Sequence, residues 1–141
     1  MSGLARFHDA QKGSYAAALS ELKSGRKTTH WMWFIFPQLT SIGRSATARY
    51  YGIADLDEAR TYLADRVLRD RLNACAEAVL SHEGRAAASI MGPVDALKLR
   101  SSATLFRAAD PDGATGRKMQ ALLDGFYDGA PCPLTMQALG R

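Results

Sequence analysis

The chain has 141 residues, 47% of them apolar and 23% charged, with a formal net charge of +4. This is the size and composition of one globular domain, and it excludes a disordered tail, a collagen-like chain and a disulfide-stapled miniprotein. The longest unbroken apolar run, Trp31 to Phe36, is far short of the ~20 residues of a membrane span, and Arg6, His8, Asp9 and Lys12 interrupt the apolar start that a signal peptide needs. Hydrophobic periodicity then predicts helices along nearly the whole chain. The first covers about 4–11, with Phe7 on its apolar side. The second covers 15–24, with Ser14 as N-cap and Gly25 as its stop, and Tyr15, Ala18, Leu19 and Leu22 form its buried stripe. Residues 31–36 fit a buried strand or a buried helical turn, since a short apolar run hides its period; we favour the helical turn.

Asp55 with Glu58 resembles a capping box and opens a helix over 56–64 that buries Leu56, Ala59 and Leu63. Leu68, Leu72, Cys75 and Val79 mark one face of a helix over 66–82, stopped by Gly84. A short helix over 86–91 ends at Gly92. Pro93 suits the first turn of a long helix running to about Ala109. Asp110-Pro111-Asp112-Gly113 is a turn, with 113–116 expected to be mobile. Helices over 118–127 and 134–139 follow, joined by an extended Pro131-Cys132-Pro133 link. The expected fold is mainly α: a single compact multi-helix domain spanning residues 1–141, with at most minor strand content.

The charge is unevenly placed. Residues 1–50 carry seven Lys/Arg and two acids, a local +5, whereas 51–100 sum to −1 and 101–141 to zero. The basic excess can attract an anion or form a solvated face. It is too modest, and too little organised into a recognition helix, to make nucleic acid an expected partner. Cys75 and Cys132 stand alone without CxxC or Cys/His clustering, so no metal is expected and a reduced, cytoplasmic protein is. Cys75 lies on an apolar stripe and is expected to be an inert buried thiol. No phosphate-loop, dinucleotide, zinc-protease or nucleophile-elbow motif is present, and no cofactor is expected.

Two stretches concentrate polar residues among apolar ones. In Lys27–Gln38, four of the twelve aromatics gather, so most of the segment must be core. His30, where the basic part meets the aromatic part, suits a general acid or base, or a structural histidine bonded to a carbonyl. Trp31 and Trp33 suit core packing or an apolar wall against a ligand. In Leu97–Arg107, a helical wheel groups Arg100, Thr104 and Arg107 on one side and leaves Lys98, Ser101 and Ser102 inside the apolar arc with Leu97. An ammonium there must be paired, snorkel outward or line a polar cleft. Tyr50-Tyr51-Gly52-Ile53 carries a glycine suited to a turn or a close backbone approach.

His30-Trp31-Met32-Trp33-Phe34-Ile35-Phe36-Pro37-Gln38, Tyr51-Gly52-Ile53 and Leu97-Lys98-Leu99-Arg100-Ser101-Ser102, with the helical pattern between them, resemble the bacterial family catalogued as domain of unknown function 1810, often labelled calpastatin. The resemblance implies a mainly helical fold and no established activity. The calpastatin label implies a disordered repeat inhibitor, which this compact, repeat-free sequence does not resemble. A fainter similarity, in the order of aromatic segment, helix pair and basic helix, is to the NADAR family, which handles ADP-ribose and related N-glycosides. Where that family would want a catalytic Glu, this segment has His30 and Gln38.

Three functions follow as expectations. The leading one is binding of a small anionic or phosphorylated molecule, such as a nucleotide or ADP-ribose derivative, in a cleft where Lys98, Arg100 and Ser101 hold the anion. His30 would stand opposite, and Trp31 or Trp33 would form a wall. The second is hydrolysis of an N-glycosidic bond with His30 as catalytic acid or base. The third is a protein-interaction module presenting an apolar patch around Phe126, Tyr127 and Leu134.

Overall fold

A computed structural model describes residues 3–141. Ten α-helices follow one another: α1 Ala5–Lys12, α2 Tyr15–Lys23, α3 Met32–Ile35, α4 Ala46–Tyr50, α5 Leu56–Ala64, α6 Arg66–Leu80, α7 Ala87–Met91, α8 Pro93–Ala109, α9 Ala114–Phe126 and α10 Pro133–Ala138, with a 3₁₀ turn at Thr40–Ile42. Extended pairing among the described residues is confined to isolated bridges, of which Leu39 with Ile53 is one. The mainly helical architecture is therefore as expected, and within the 31–36 run Met32–Ile35 form a helical turn rather than a strand, with Trp31 and Phe36 as its flanking caps.

Capping side chains set several boundaries. Asp55 accepts from the Glu58 N–H at 2.8 Å and Asp65 from the Leu68 N–H at 3.1 Å, so adjacent helices α5 and α6 each start on a carboxylate. Pro93 opens α8 after Gly92, whose φ of 88° suits only glycine. Of residues 113–116, expected to be mobile, Gly113 is the N-cap and 114–116 form the first turn of α9. There the Gly116 N–H donates to Asp110 Oδ2 at 3.2 Å, and the helix packs against the Asp110 carbonyl so closely that a Cβ at 116 would collide with it.

Helix α8 is the centre of the domain, packed by α5, α7, α9 and α10. Its residues Ser101 to Phe106 are all buried, so it has no polar stripe over that length. An aromatic chain ties it outward: Phe7 meets Tyr62 edge-on at 5.1 Å, and Tyr62 meets Phe106 at 5.1 Å. Buried Gln11 donates to the Phe34 carbonyl at 2.7 Å, fixing α1 to α3.

The segment 38–53 is held by a close backbone approach. The Ile53 N–H donates to the Gln38 carbonyl and the Thr40 N–H to the Ile53 carbonyl, both at 2.9 Å. Gly52 allows it, because a Cβ there would fall 2.6 Å from Thr40 Cα. Helix α4, which the hydrophobic pattern did not announce, begins on Ser45, whose hydroxyl accepts from the Ala48 N–H at 3.0 Å.

Candidate functional site

The two polar-among-apolar stretches do meet. Lys98 of α8 lies with its ammonium 5.2 Å from the Trp33 ring centroid and 3.4 Å from Asp95, one turn earlier on the helix. The same Asp95 carboxylate binds the Lys27 ammonium at 2.9 Å. Lys27 in turn lies 4.9 Å from the Trp31 ring centroid and donates to the Thr29 carbonyl at 2.6 Å. One carboxylate thus serves two ammonium groups, and the cluster keeps a net positive charge.

On the other side of Lys98 a groove opens between α4, α8 and α10, with a volume of about 690 Å³, within the ~300–1,000 Å³ usual for small-molecule sites. Gln38 brings the aromatic segment to it, Lys98 and Arg100 bring α8, and Arg44 and Ser45 bring the start of α4. Its aliphatic lining comes from Ile42, Ala48, Val94, Leu97, Pro133 and Leu134. No aspartate, glutamate or aromatic side chain is among the lining residues. A shallower recess of about 550 Å³ continues from it past Ile42, Arg44 and Leu134 toward Arg49 and Gln137.

Each cation is held differently. The Arg100 Nε donates to the Ala130 carbonyl at 2.9 Å, and its guanidinium lies 5.9 Å from the Tyr127 ring centroid. This fixes the plane of the fork while both Nη nitrogens stay without a hydrogen-bond partner among the described residues. Arg44 is exposed and carries no ion pair among the described residues. Val94 and Leu97 are each 66% exposed and Leu134 55%, so the aliphatic lining faces water. Leu97 therefore departs from the wheel, which placed it in the packed arc.

The remaining expected site residues lie outside the lining. Ser101 is buried, its hydroxyl sharing a 2.8 Å hydrogen bond with Thr135 of α10. Trp31 is buried, its indole donating to Glu21 Oε1 at 3.0 Å. Trp33 is half-buried and reaches the groove only through Lys98. His30 is exposed and makes no hydrogen bond among the described residues. Phe126 and Tyr127 pack partly buried against the core rather than forming an open patch with Leu134.

Titration behaviour separates structural from available groups. Burial raises the Glu21 carboxyl, but hydrogen bonds from the Thr29 hydroxyl, the Thr28 and Thr29 N–H groups and the Trp31 indole outweigh it and bring the group down to about 2. Burial pushes the Cys75 thiol up to about 12, as its place on the apolar stripe suggests. Cys132, half-buried, lies in the groove, and its N–H donates to Thr104 Oγ1 at 2.9 Å. Among the described residues no three His, Cys, Asp or Glu side chains gather as metal ligands, and no helix is long and apolar enough to cross a membrane.

The family model described as a protein of unknown function (DUF1810) matches residues 1–139. The chain belongs to the DUF1810 family. A crystal structure of the conserved hypothetical protein Rv1873 from Mycobacterium tuberculosis is similar to this DUF1810 chain at a TM-score of 0.92 and 42% identity, over 98% of this chain and 96% of the other. No curated protein matches the chain.

Arg44 and Ser45 were not expected at the site, and Leu134, expected in an apolar patch with Phe126 and Tyr127, and Cys132 and Pro133, expected in an extended link, form one lip of the groove instead. The one local signal was Ser45 as an N-cap followed by the helix-forming Ala46 and Ala48. For the lip, the exposed apolar character of Leu134 was legible but not its place, because it joins the groove only when α10 is docked on α8.

Proposed function

We propose that this DUF1810 protein binds a small anionic ligand in the groove between α4, α8 and α10. The observation that carries the proposal is that Lys98, Arg100 and Arg44 line one groove whose lining holds no carboxylate. Lys98 and Arg100 are the primary anion contacts, and Gln38 and Arg44 complete the polar set. Ser101, Trp31 and Trp33 act at one remove: Ser101 fixes α10, and the tryptophans seat the Lys27–Asp95–Lys98 cluster. The two free cysteines fit a reducing, cytoplasmic setting.

Hydrolysis of an N-glycosidic bond would require His30 within hydrogen-bond reach of the substrate. His30 stands outside the groove lining, so binding is favoured over catalysis. A protein-interaction role has one observation in its favour, the exposed Val94, Leu97 and Leu134.

Thermal-shift screening against inorganic phosphate, nucleotides, sugar phosphates and small carboxylates tests the proposal. A ligand at 100 times its Kd stabilises the fold by about 2.7 kcal/mol. The shift should vanish in a Lys98→Ala/Arg100→Gln double variant and persist in His30→Ala. A hit that survives the double variant unchanged overturns the site, and one abolished by His30→Ala alone moves the ligand to His30 and away from the groove.

A further inference from the structure

We infer that the ligand of this groove is an aliphatic carboxylate, its head taken by Arg100 and Lys98 and its hydrocarbon body laid along Val94, Leu97 and Leu134. This deepens the anion-binding role proposed above and rests on it.

The lining speaks against a nucleotide. Proteins usually hold a nucleobase by stacking it on an aromatic or guanidinium plane, and a ribose by an acidic side chain that accepts from its hydroxyls. The groove lining has no aromatic ring and no carboxylate, and of its two guanidinium planes that of Arg100 is tied to the Ala130 carbonyl and lies against Tyr127, which leaves only exposed Arg44 as a stacking plane. Phosphate groups are commonly cradled by free backbone N–H groups at a helix start or in a nest. Two of the N–H groups at the groove's lips are already engaged, Ala48 on the Ser45 hydroxyl at 3.0 Å and Cys132 on the Thr104 hydroxyl at 2.9 Å.

What the lining does offer is a planar fork beside a hydrocarbon wall. Arg100, anchored through Nε to the Ala130 carbonyl, has two Nη donors to pair with the two oxygens of a carboxylate. Lys98 adds a second cation whose charge Asp95 shares with Lys27 and so only partly offsets. Val94 and Leu97, one turn apart on α8, face the same groove as Leu134 of α10, and all three are more than half exposed. Apolar surface of that kind, with cations in the same lining, is complementary to an amphiphilic anion and gains free energy when a hydrocarbon chain covers it.

Isothermal titration of the full chain with butanoate, hexanoate, octanoate and decanoate below their micellar concentrations tests the inference, with inorganic phosphate, ADP and octanol as comparison ligands. Affinity should rise about threefold to fourfold for each added methylene, and octanol, lacking the charge, should bind at least tenfold more weakly than octanoate. Leu97→Asp, at an exposed position where folding is not at stake, should weaken octanoate at least tenfold, as should Arg100→Gln. Circular dichroism of each variant confirms that the fold is kept. Binding of phosphate or ADP with no response to carboxylates overturns the inference and leaves the anion site standing. Carboxylate binding that ignores both substitutions places the chain elsewhere and also overturns it. No binding by any anion overturns both the inference and the anion site.

Discussion

The Lys27 ammonium and the Asp95 carboxylate meet at 2.9 Å, joining the loop before α3 to the first turn of α8, with the lysine side chain only 8% exposed. Removing the carboxylate strands a nearly buried cation and also deletes an acid from a helix N-terminus, where it is favourable. Asp95→Asn should therefore destabilise the fold by about 2–3 kcal/mol, below the ~3–5 of fully buried pairs because Asp95 keeps some solvent contact. It should also tighten anion binding, since Lys98 loses the partner that offsets its charge. Urea denaturation and ligand titration of the same variant should move in opposite directions. A variant that loses affinity along with stability would show that Asp95 shapes the groove rather than screening it.

Glu21 gathers the loop 28–31 by accepting from Thr28, Thr29 and the Trp31 indole, so it is the carboxylate on which the aromatic segment hangs. Its folded value of about 2 lies below the ordinary 4.5. The stabilisation it supplies is therefore complete above about pH 4.5 and is lost as pH falls toward 2. Glu21→Gln should lower the melting temperature at pH 7, and the gap to the wild type should narrow steadily from pH 5 to pH 2.5. Other acid-sensitive carboxylates such as Asp65 titrate in both proteins and cancel in the comparison. A gap that stays constant across that range would mean the loop does not depend on the charge of Glu21.

Much of the helical frame was legible from local pattern alone. The stripe Leu68, Leu72, Cys75 and Val79 names the buried face of α6, and Gly92-Pro93 names the start of α8. Local pattern fails where packing decides. Helix α8 is enclosed on several sides, so the wheel that sets Thr104 on a polar side with Arg100 and Arg107 misplaces it: Thr104, like Ser101 of the apolar arc, is buried and hydrogen-bonded. Leu97 looks like core on that wheel yet lines an open groove, because its neighbour across the gap, α10, stands off rather than covering it. Helix α4 spans only Ala46–Tyr50, too short for any period to show. The juxtaposition of Gln38 with Lys98 is a long-range fact set by the Leu39–Ile53 bridge, and no spacing in the chain encodes it.

Ser101 and Thr135 share a hydrogen bond that is fully enclosed, and it fastens α10, with Leu134 on it, to the central helix. Ser101→Ala leaves the Thr135 hydroxyl buried without that partner and should cost about 1–2 kcal/mol. Adding Thr135→Val removes the orphaned group, so the double variant should be more stable than the sum of the single effects by roughly 0.5–1 kcal/mol or more. The single variant should also weaken any groove ligand, because α10 then loses its register against α8. A double-mutant cycle by chemical denaturation measures the coupling, and additive effects would show that the two hydroxyls do not depend on one another.

Gly52 and Gly13 make a paired test of why the groove keeps its shape. A Cβ on Gly52 would fall 2.6 Å from Thr40 Cα, and that backbone cannot yield without parting the bridge that sets Gln38 at the groove. Overpacking of this kind costs about 1–3 kcal/mol, and backbone rather than a mobile side chain is in the way, so Gly52→Ala belongs at the upper end. Gly13, after α1, has a φ of −102° and nothing within 4 Å of its Cβ position. Gly13→Ala should therefore be neutral or stabilising by about 0.4–1 kcal/mol, through the lower entropy of the unfolded chain. If the bridge positions the groove, Gly52→Ala must lose ligand affinity as well as stability, whereas Gly13→Ala must leave affinity untouched. Loss of stability with unchanged affinity in Gly52→Ala would detach Gln38 from the binding site and leave Lys98 and Arg100 to carry it alone.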